Sequence, residues 1–109
     1  MKTYAGHRED GKAVVMIIER GCEVRPLPLR LDLWRHSPTG FEWGYAGSGP
    51  AQLAWAMLAD ALEDDALASQ LHQRFKFEVI ARLAPLEPWT MTEQQVRQRA
   101  MKLTSLEGG

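Results

Sequence analysis

The sequence predicts an α+β domain in which helices pack on one face of a small antiparallel sheet. Apolar, β-branched segments separated by turn residues fill the first half of the chain, and apolar residues recur at helical spacing in the second. The composition, 45% hydrophobic and 25% charged in 109 residues, is typical of one globular domain. We therefore expect a single domain over residues 1–109, with strands at about 3–45, helices at about 49–104 and a frayed tail at 105–109.

Charge, apolar run length and cysteine content argue against several classes of protein. The net charge of -1 provides no global positive field that would attract nucleic acid or an anionic membrane. The longest apolar run, residues 13–18, is far shorter than the roughly 20 residues of a transmembrane helix. The N-terminus has no apolar stretch of signal-peptide length, and the single Cys22 cannot form an intrachain disulfide. We expect a cytoplasmic protein with no membrane association.

The first strands form a predicted hairpin followed by an edge segment. Residues 12–19 are rich in β-branched side chains, and their continuous apolar run predicts burial on both faces. Residues 4–8 are predicted to pair with them through the Asp10-Gly11 turn. Two prolines at alternate positions make residues 24–29 an edge strand or an extended connector, because proline cannot donate a ladder hydrogen bond.

A second hairpin is predicted between residues 29–36 and 41–45. Both segments alternate apolar and polar residues, and the Ser-Pro-Thr-Gly sequence at 37–40 fits a type I turn. The alternation places Phe41, Trp43 and Tyr45 on one face of the strand.

The first predicted helix starts at Ser48, which is a good N-cap residue, with Pro50 in its first turn. Its apolar arc is wide, so we expect it to be mostly buried. Only a narrow polar side remains, formed by Gln52, Ala56, Asp60 and Glu63.

Two further helices follow. Apolar residues spaced by four predict the second helix, and acidic residues at its start favour a helix N-terminus; the apolar stripe is Leu67, Leu71, Phe75, Val79 and Leu83. The prolines at 85 and 88 interrupt the helical pattern. The third helix begins with a capping box from Thr92 to Gln95, and it buries Val96, Ala100 and Leu103.

Residues 40–54 have the specific sequence Gly-Phe-Glu-Trp-Gly-Tyr-Ala-Gly-Ser-Gly-Pro-Ala-Gln-Leu-Ala. This segment resembles an uncharacterised family of small bacterial, plasmid and phage proteins, a domain of unknown function with the core G-F-E-W-G-Y-x-G-S-G-P-A-Q-L-A. The resemblance extends to residues 36–38, 75–76, 89, 90 and 92, which covers most of the chain. It implies an accessory or inhibitor protein of a mobile element and assigns no activity.

The same segment supplies the candidate binding residues, Trp43, Tyr45, Gly47, Ser48, Gly49 and Gln52. The first hypothesis is that the aromatic strip contacts a protein partner. The second is that the glycine loop before the first helix binds an anion or a nucleotide, with or without catalysis, because helix N-termini favour negative charge. Simpler roles remain open, since the aromatic residues can face the core and the glycines can serve a turn with positive φ, capped by Ser48.

Other chemistry has little support in the sequence. The three histidines and Cys22 lack metal-ligand spacing, and there is no P-loop, dinucleotide fingerprint or G-x-S-x-G motif. We therefore predict no catalytic residue, metal or cofactor, and a protein partner of unidentified nature. Nucleic-acid binding is a third, less favoured alternative, based on a possible basic face of Arg74, Lys76, Arg82, Arg97, Arg99 and Lys102.

Overall fold

The computed structural model describes residues 1–19, 23–32 and 40–108. In these residues a four-stranded antiparallel sheet is combined with three helices, which confirms the predicted α+β class. The elements in chain order are β1 (Thr3–Glu9), β2 (Lys12–Glu19), β3 (Glu23–Pro26), α1 (Ser48–Leu62), α2 (Asp65–Glu78), a 3-10 turn (Ile80–Arg82), β4 (Trp89–Thr92) and α3 (Glu93–Gly108). Helix α3 thus continues into the segment that was predicted to be frayed.

The sheet has the strand order β3-β2-β1-β4. The predicted β1–β2 hairpin is confirmed, and its turn residues Asp10 and Gly11 have φ values of 51° and 78°, the positive values of a type I′ turn. Strand β3 is the expected edge strand next to β2. Strand β4 was not predicted, and it pairs with β1 at the opposite edge, where Gly6 lies opposite Trp89.

The two faces of strand β2 differ in burial. Val15 and Ile17 are buried in the hydrophobic core, whereas Val14 and Met16 are only half-buried and Ile18 is 38% exposed. The expectation of burial on both faces is therefore wrong. A continuous apolar run satisfies the side-chain alternation of a one-sided strand as well as that of a fully buried one.

The predicted second hairpin is not formed in the described residues. Residues 41–43 have no regular secondary structure, and Gly44 has a φ of +89°, which a regular strand does not adopt. Phe41 and Trp43 are buried, but Tyr45 is exposed, so the three side chains do not share one face. Residues 37–39 of the predicted turn and residues 33–36, half of the predicted first strand, lie outside the described residues, and residues 29–32 are not a strand.

Helix α1 is buried on nearly all sides. Gln52 and Ala56, predicted on its polar side, are both fully buried, so that prediction is wrong. The chain after β3 crosses this side of the helix, where Gln52 Nε2 donates a 2.6 Å hydrogen bond to the backbone oxygen of Leu29. A buried amide requires such a partner, because an unsatisfied one costs about 1–3 kcal/mol.

The predicted start is confirmed for two of the three helices. The N-cap of α1 is Gly47, with no side-chain hydrogen bond, and Ser48 is already the first helical residue, so the predicted Ser48 cap is wrong. The carboxylate of Asp64 caps α2 by accepting the N–H of Leu67 at 3.0 Å. The predicted capping box of α3 is confirmed by reciprocal hydrogen bonds between Thr92 and Gln95.

The apolar stripes of the last two helices complete the core. Leu71, Phe75 and Val79 are buried, although α2 ends at Glu78 and a 3-10 turn follows. The three predicted core residues of α3 are also buried, namely Val96, Ala100 and Leu103. None of the helices in the described ranges is long and apolar enough to span a membrane.

We predict that Thr92→Ala lowers the free energy of unfolding by about 0.5–2 kcal/mol, because it removes the acceptor for the N–H of Gln95. Ser48→Ala, at the exposed first position of α1, is the matched control and is expected to change stability by less than about 0.5 kcal/mol. Urea unfolding measures both values. A larger loss for Ser48→Ala than for Thr92→Ala would contradict the cap assignment.

His72 predicts a pH dependence of stability. The side chain is buried, and its ring packs against Trp55 with the ring centroids 4.4 Å apart. Burial lowers the pKa of His72 below its ordinary value of 6.5, opposed by the hydrogen bond to Ser69 and reinforced by Lys76. The unfolded chain then binds more protons than the folded one, so stability decreases as the pH falls below about 6.5.

We expect His72→Gln to reduce this loss of stability between about pH 7.5 and pH 5. Urea unfolding of both proteins at several pH values measures the difference. His7→Gln is the control, since His7 is more exposed, 41% for its side chain. An identical pH dependence in the wild type and His72→Gln would rule out His72 as the group responsible.

Candidate functional site

An open groove of about 630 Å³ lies beside the N-terminus of α1. The β1–β2 turn and the segment that leads into the helix form its walls, with the lining residues Gly11, Lys12, Ala13, Gly40, Phe41, Glu42, Tyr45, Ser48 and Gly49. We call it the Tyr45 groove. Three of the six predicted binding residues, Tyr45, Ser48 and Gly49, line it, whereas Trp43, Gly47 and Gln52 do not.

Trp43 lies beneath the groove in the core. It is 0% exposed, and its ring makes an edge-to-face contact with Trp89, with 5.7 Å between the centroids and 85° between the planes. Such aromatic pairs contribute about 0.5–1.5 kcal/mol beyond the burial of their area. Trp43 therefore anchors the segment from below, and its substitution would test folding rather than a surface contact.

Arg8 connects the groove segment to the sheet and to the loop before β4. Its guanidinium makes two hydrogen bonds to the carboxylate of Glu42, at 2.9 and 3.3 Å, and two to the backbone oxygen of Pro85, at 2.9 and 3.1 Å. It also lies over the ring of Trp43, 4.6 Å from the centroid. The planar, forked guanidinium can satisfy all of these contacts, whereas the ammonium of lysine cannot.

Sequence reasoning missed the role of Arg8. Arg8 and Glu42 are 34 positions apart in sequence, and no local pattern relates them. The available signal was the position of Arg8 at the end of a predicted strand, next to the hairpin turn.

Gly44 fixes the path of the segment through its backbone. Its N–H donates a 3.0 Å hydrogen bond to the oxygen of Ile80, and its φ of +89° favours glycine. A Cβ at this position would lie 2.7 Å from Cα of Pro85. Both the conformation and the close approach therefore require a glycine.

Tyr45 is the more exposed of the two aromatic residues that line the groove, with 52% of its surface accessible. Gly47 lies directly against its ring, because a Cβ on Gly47 would be 2.5 Å from Cε2 of Tyr45. Gly49 is similarly crowded by Cβ of Glu42, at 2.7 Å. Gly47 is extended, with φ of -144°, so the expected positive φ is not found at this glycine.

The electrostatic character of the groove favours a negative group near the start of α1. The first turn of the helix contains no acidic residue, and its N-cap makes no side-chain hydrogen bond. Lys12 and Ser48 are exposed in the lining, while the carboxylate of Glu42 is neutralised by Arg8. The positive end of the helix dipole adds to the charge of Lys12.

The basic residues of the nucleic-acid alternative do not form one continuous face. Arg97 turns to the end of α1, where its Nε donates a 2.7 Å hydrogen bond to the oxygen of Ala61. Lys76 is buried and lies over the ring of Phe77 at 4.2 Å. Three others line a second, smaller hollow, namely Arg82, Arg99 and Lys102.

Other potential ligands are scattered. Within residues 1–19, 23–32 and 40–108, no group of three His, Cys, Asp or Glu side chains is placed to bind a metal ion. His7 lies 3.1 Å from Glu9 on the surface, and His72 is in the core. Cys22, His36 and Ser37 lie outside the described residues.

A match to a known protein family covers nearly the whole chain. The model of a family of unknown function, DUF6166, matches residues 4–102, so the chain belongs to this family. No curated protein and no solved structure matches it significantly. The matched range includes every described residue of the Tyr45 groove, as well as the Trp43–Trp89 pair beneath it.

We predict that Arg8→Lys lowers the free energy of unfolding by about 1–3 kcal/mol, because part of a half-buried hydrogen-bond cluster is lost. A double-mutant cycle with Glu42→Gln measures the coupling, which we expect to be about 0.5–3 kcal/mol. Arg82→Lys is the control, since its side chain is 73% exposed and its ion pair is long, at 3.6 Å. Additive effects of Arg8→Lys and Glu42→Gln would show that the two side chains do not stabilise each other.

Proposed function

We propose that this protein is a non-enzymatic binding module that accepts an extended segment of a protein partner in the Tyr45 groove. The observation that supports this most directly is the combination of an exposed tyrosine with a rigidly anchored backbone. The segment of residues 40–47 has no regular secondary structure, yet Trp43, Gly44 and the Arg8–Glu42 pair fix it at three points.

A pre-formed groove favours binding for a thermodynamic reason. Ordering a flexible loop on association costs free energy, about 0.5–1.5 kcal/mol for each immobilised side chain with many rotamers. Here the folded core orders the segment before any partner arrives. Tyr45 then offers a large aromatic contact with few rotatable bonds, and tyrosine is enriched at energetically dominant interface positions.

The lining of the groove suggests the chemistry of the partner segment. Gly11 and Gly40 in the lining have open space where a side chain would stand, so a partner backbone can approach closely there. Lys12 and the N-terminus of α1 favour a carboxylate. We therefore propose an extended segment that places an apolar or aromatic side chain on Tyr45 and an acidic side chain, or a chain-terminal carboxylate, beside Lys12.

A role as an accessory or inhibitor protein is consistent with binding of this kind. Occupying a groove modifies a partner without a chemical step, and the described residues of the groove contain one carboxylate, Glu42, already paired with Arg8. That the partner belongs to a host system and this chain to a mobile element is part of the same proposal.

A second candidate function uses the same groove for a small anionic ligand. The uncapped, acid-free N-terminus of α1 and the exposed Lys12 favour it. A thermal shift with phosphate-bearing ligands that is lost in Lys12→Glu, but retained in Tyr45→Ala, would favour this candidate over the protein partner.

We predict that peptides selected on the wild-type protein from a displayed random-peptide library bind Tyr45→Ala at least about tenfold more weakly, as expected for a central aromatic contact. Lys12→Glu should weaken the same peptides and reduce the share of acidic residues selected. Fluorescence anisotropy with labelled peptides measures the affinities.

The matched control is Phe77→Ala, which removes another half-exposed aromatic side chain, on α2 and outside the groove. Circular dichroism confirms that each variant is folded. Peptides that bind Tyr45→Ala as tightly as the wild type, or no selected peptide at all, would count against the proposed groove function.

A further inference from the structure

A second hollow of about 470 Å³ lies between the end of α2 and one side of α3. It is separate from the Tyr45 groove and shares no lining residue with it. Arg82 comes from the 3-10 turn, and Arg99 and Lys102 come from α3. We call it the basic hollow.

The charge of this hollow differs from that of the whole molecule. Three cationic side chains and one carboxylate, Glu78, line it, whereas the complete chain has a net charge of -1. Glu78 lies 3.6 Å from Arg82, and both side chains are more than half exposed, so this ion pair is weak. In the part of the chain that the structure describes, Arg99 and Lys102 make no ion pair.

The side of α3 that faces the hollow carries amide side chains as well as cationic ones. Gln95, Arg99 and Lys102 follow one another at helical spacings of four and three, so they lie on the same side of the helix. Gln95 Oε1 accepts the N–H of Thr92 in the capping box. The amide nitrogen of Gln95, a donor, is therefore the end of this side chain that remains for a ligand.

We propose that the basic hollow binds the phosphate groups of a nucleotide, carried either by a free nucleotide or by a nucleic-acid strand. Two guanidinium groups and an ammonium match phosphate in charge and in hydrogen-bonding geometry. Like charges that line one hollow repel one another, and a bound dianion relieves that repulsion. The volume lies within the range of about 300–1,000 Å³ that small-molecule sites occupy, so there is room for a sugar and a base beside the phosphates.

Two amide side chains in the lining favour a nucleotide over a simple inorganic anion as the ligand. Gln95 and Gln98 line the hollow together with the basic groups, and amide side chains can pair with the polar edges of a base or with sugar hydroxyls. The buried residues Val79 and Leu103 complete the lining.

The test measures binding of two probes in magnesium-free buffer. Isothermal titration calorimetry measures the binding of ADP, and fluorescence anisotropy measures the binding of a labelled single-stranded oligonucleotide of about 20 nucleotides. We expect at least one probe to bind, with an affinity that falls as salt is added. Binding of ADP alone would identify a free nucleotide as the source of the phosphate, whereas binding of the oligonucleotide would identify a nucleic-acid strand.

The double variant Arg99→Glu/Lys102→Glu is expected to weaken binding at least about tenfold, because both charges are reversed. Both positions are exposed, so the fold should be unaffected. Arg74→Glu reverses a charge at an exposed position of α2 that lines neither hollow, and its affinity should stay within about twofold of the wild type. Lys12→Glu is measured beside it to detect binding at the start of α1. Nuclear magnetic resonance titration of the wild type adds a readout without substitution, with shifts expected at the amides of residues 95–102.

The proposal is overturned if neither probe binds below about 1 mM. It is equally overturned if Lys12→Glu abolishes binding while the double variant retains it, because the phosphate would then lie at the start of α1. Because the peptide experiments concern the other groove, failure of one proposal leaves the other unaffected.

Discussion

The contact between Trp89 and Gly6 is the constraint on which the candidate site depends. A Cβ at Gly6 would lie 2.3 Å from the indole of Trp89, so only glycine permits this approach of β4 to β1. Trp89 in turn packs against Trp43, and Arg8 lies over Trp43 while it pairs with Glu42. One missing side chain in a strand thereby determines where a segment more than thirty residues away can pack.

This arrangement places a buried supporting side chain and an exposed aromatic side chain close together in the sequence. Trp43 is fully buried, and Tyr45, two residues later, is half-exposed in the groove. The positive φ of Gly44 makes the difference, since it breaks the alternation that a strand would impose and turns the next side chain outward. The core thus carries the cost of ordering the segment, and the groove is formed in the folded chain before any partner binds.

Local chemistry made the hairpin, the α3 capping box and the amphipathic stripes predictable. The Asp10-Gly11 turn and the Thr92–Gln95 box each depend on residues at most three apart. Strand β4 was missed because it is four residues long and its partner strand lies more than eighty residues earlier in the chain. The aromatic alternation before α1 was misinterpreted as a strand, since a period of two also fits an irregular extended segment. For the candidate site, the sequence identified the segment before α1 but not the Arg8–Glu42 pair, because only the tertiary structure brings these two residues together.

Hydrogen exchange of the Gly44 amide in Gly6→Ala tests whether the Gly6–Trp89 contact fixes the segment that leads into α1. This N–H is bonded to the oxygen of Ile80, and the added methyl group displaces Trp89, the ring on which Trp43 packs. We expect the protection of the Gly44 amide to fall more than the protection of the β1–β2 ladder, which reports global stability. If the Gly44 amide loses protection only in proportion to that ladder, or not at all, the segment is fixed independently of the Gly6–Trp89 contact.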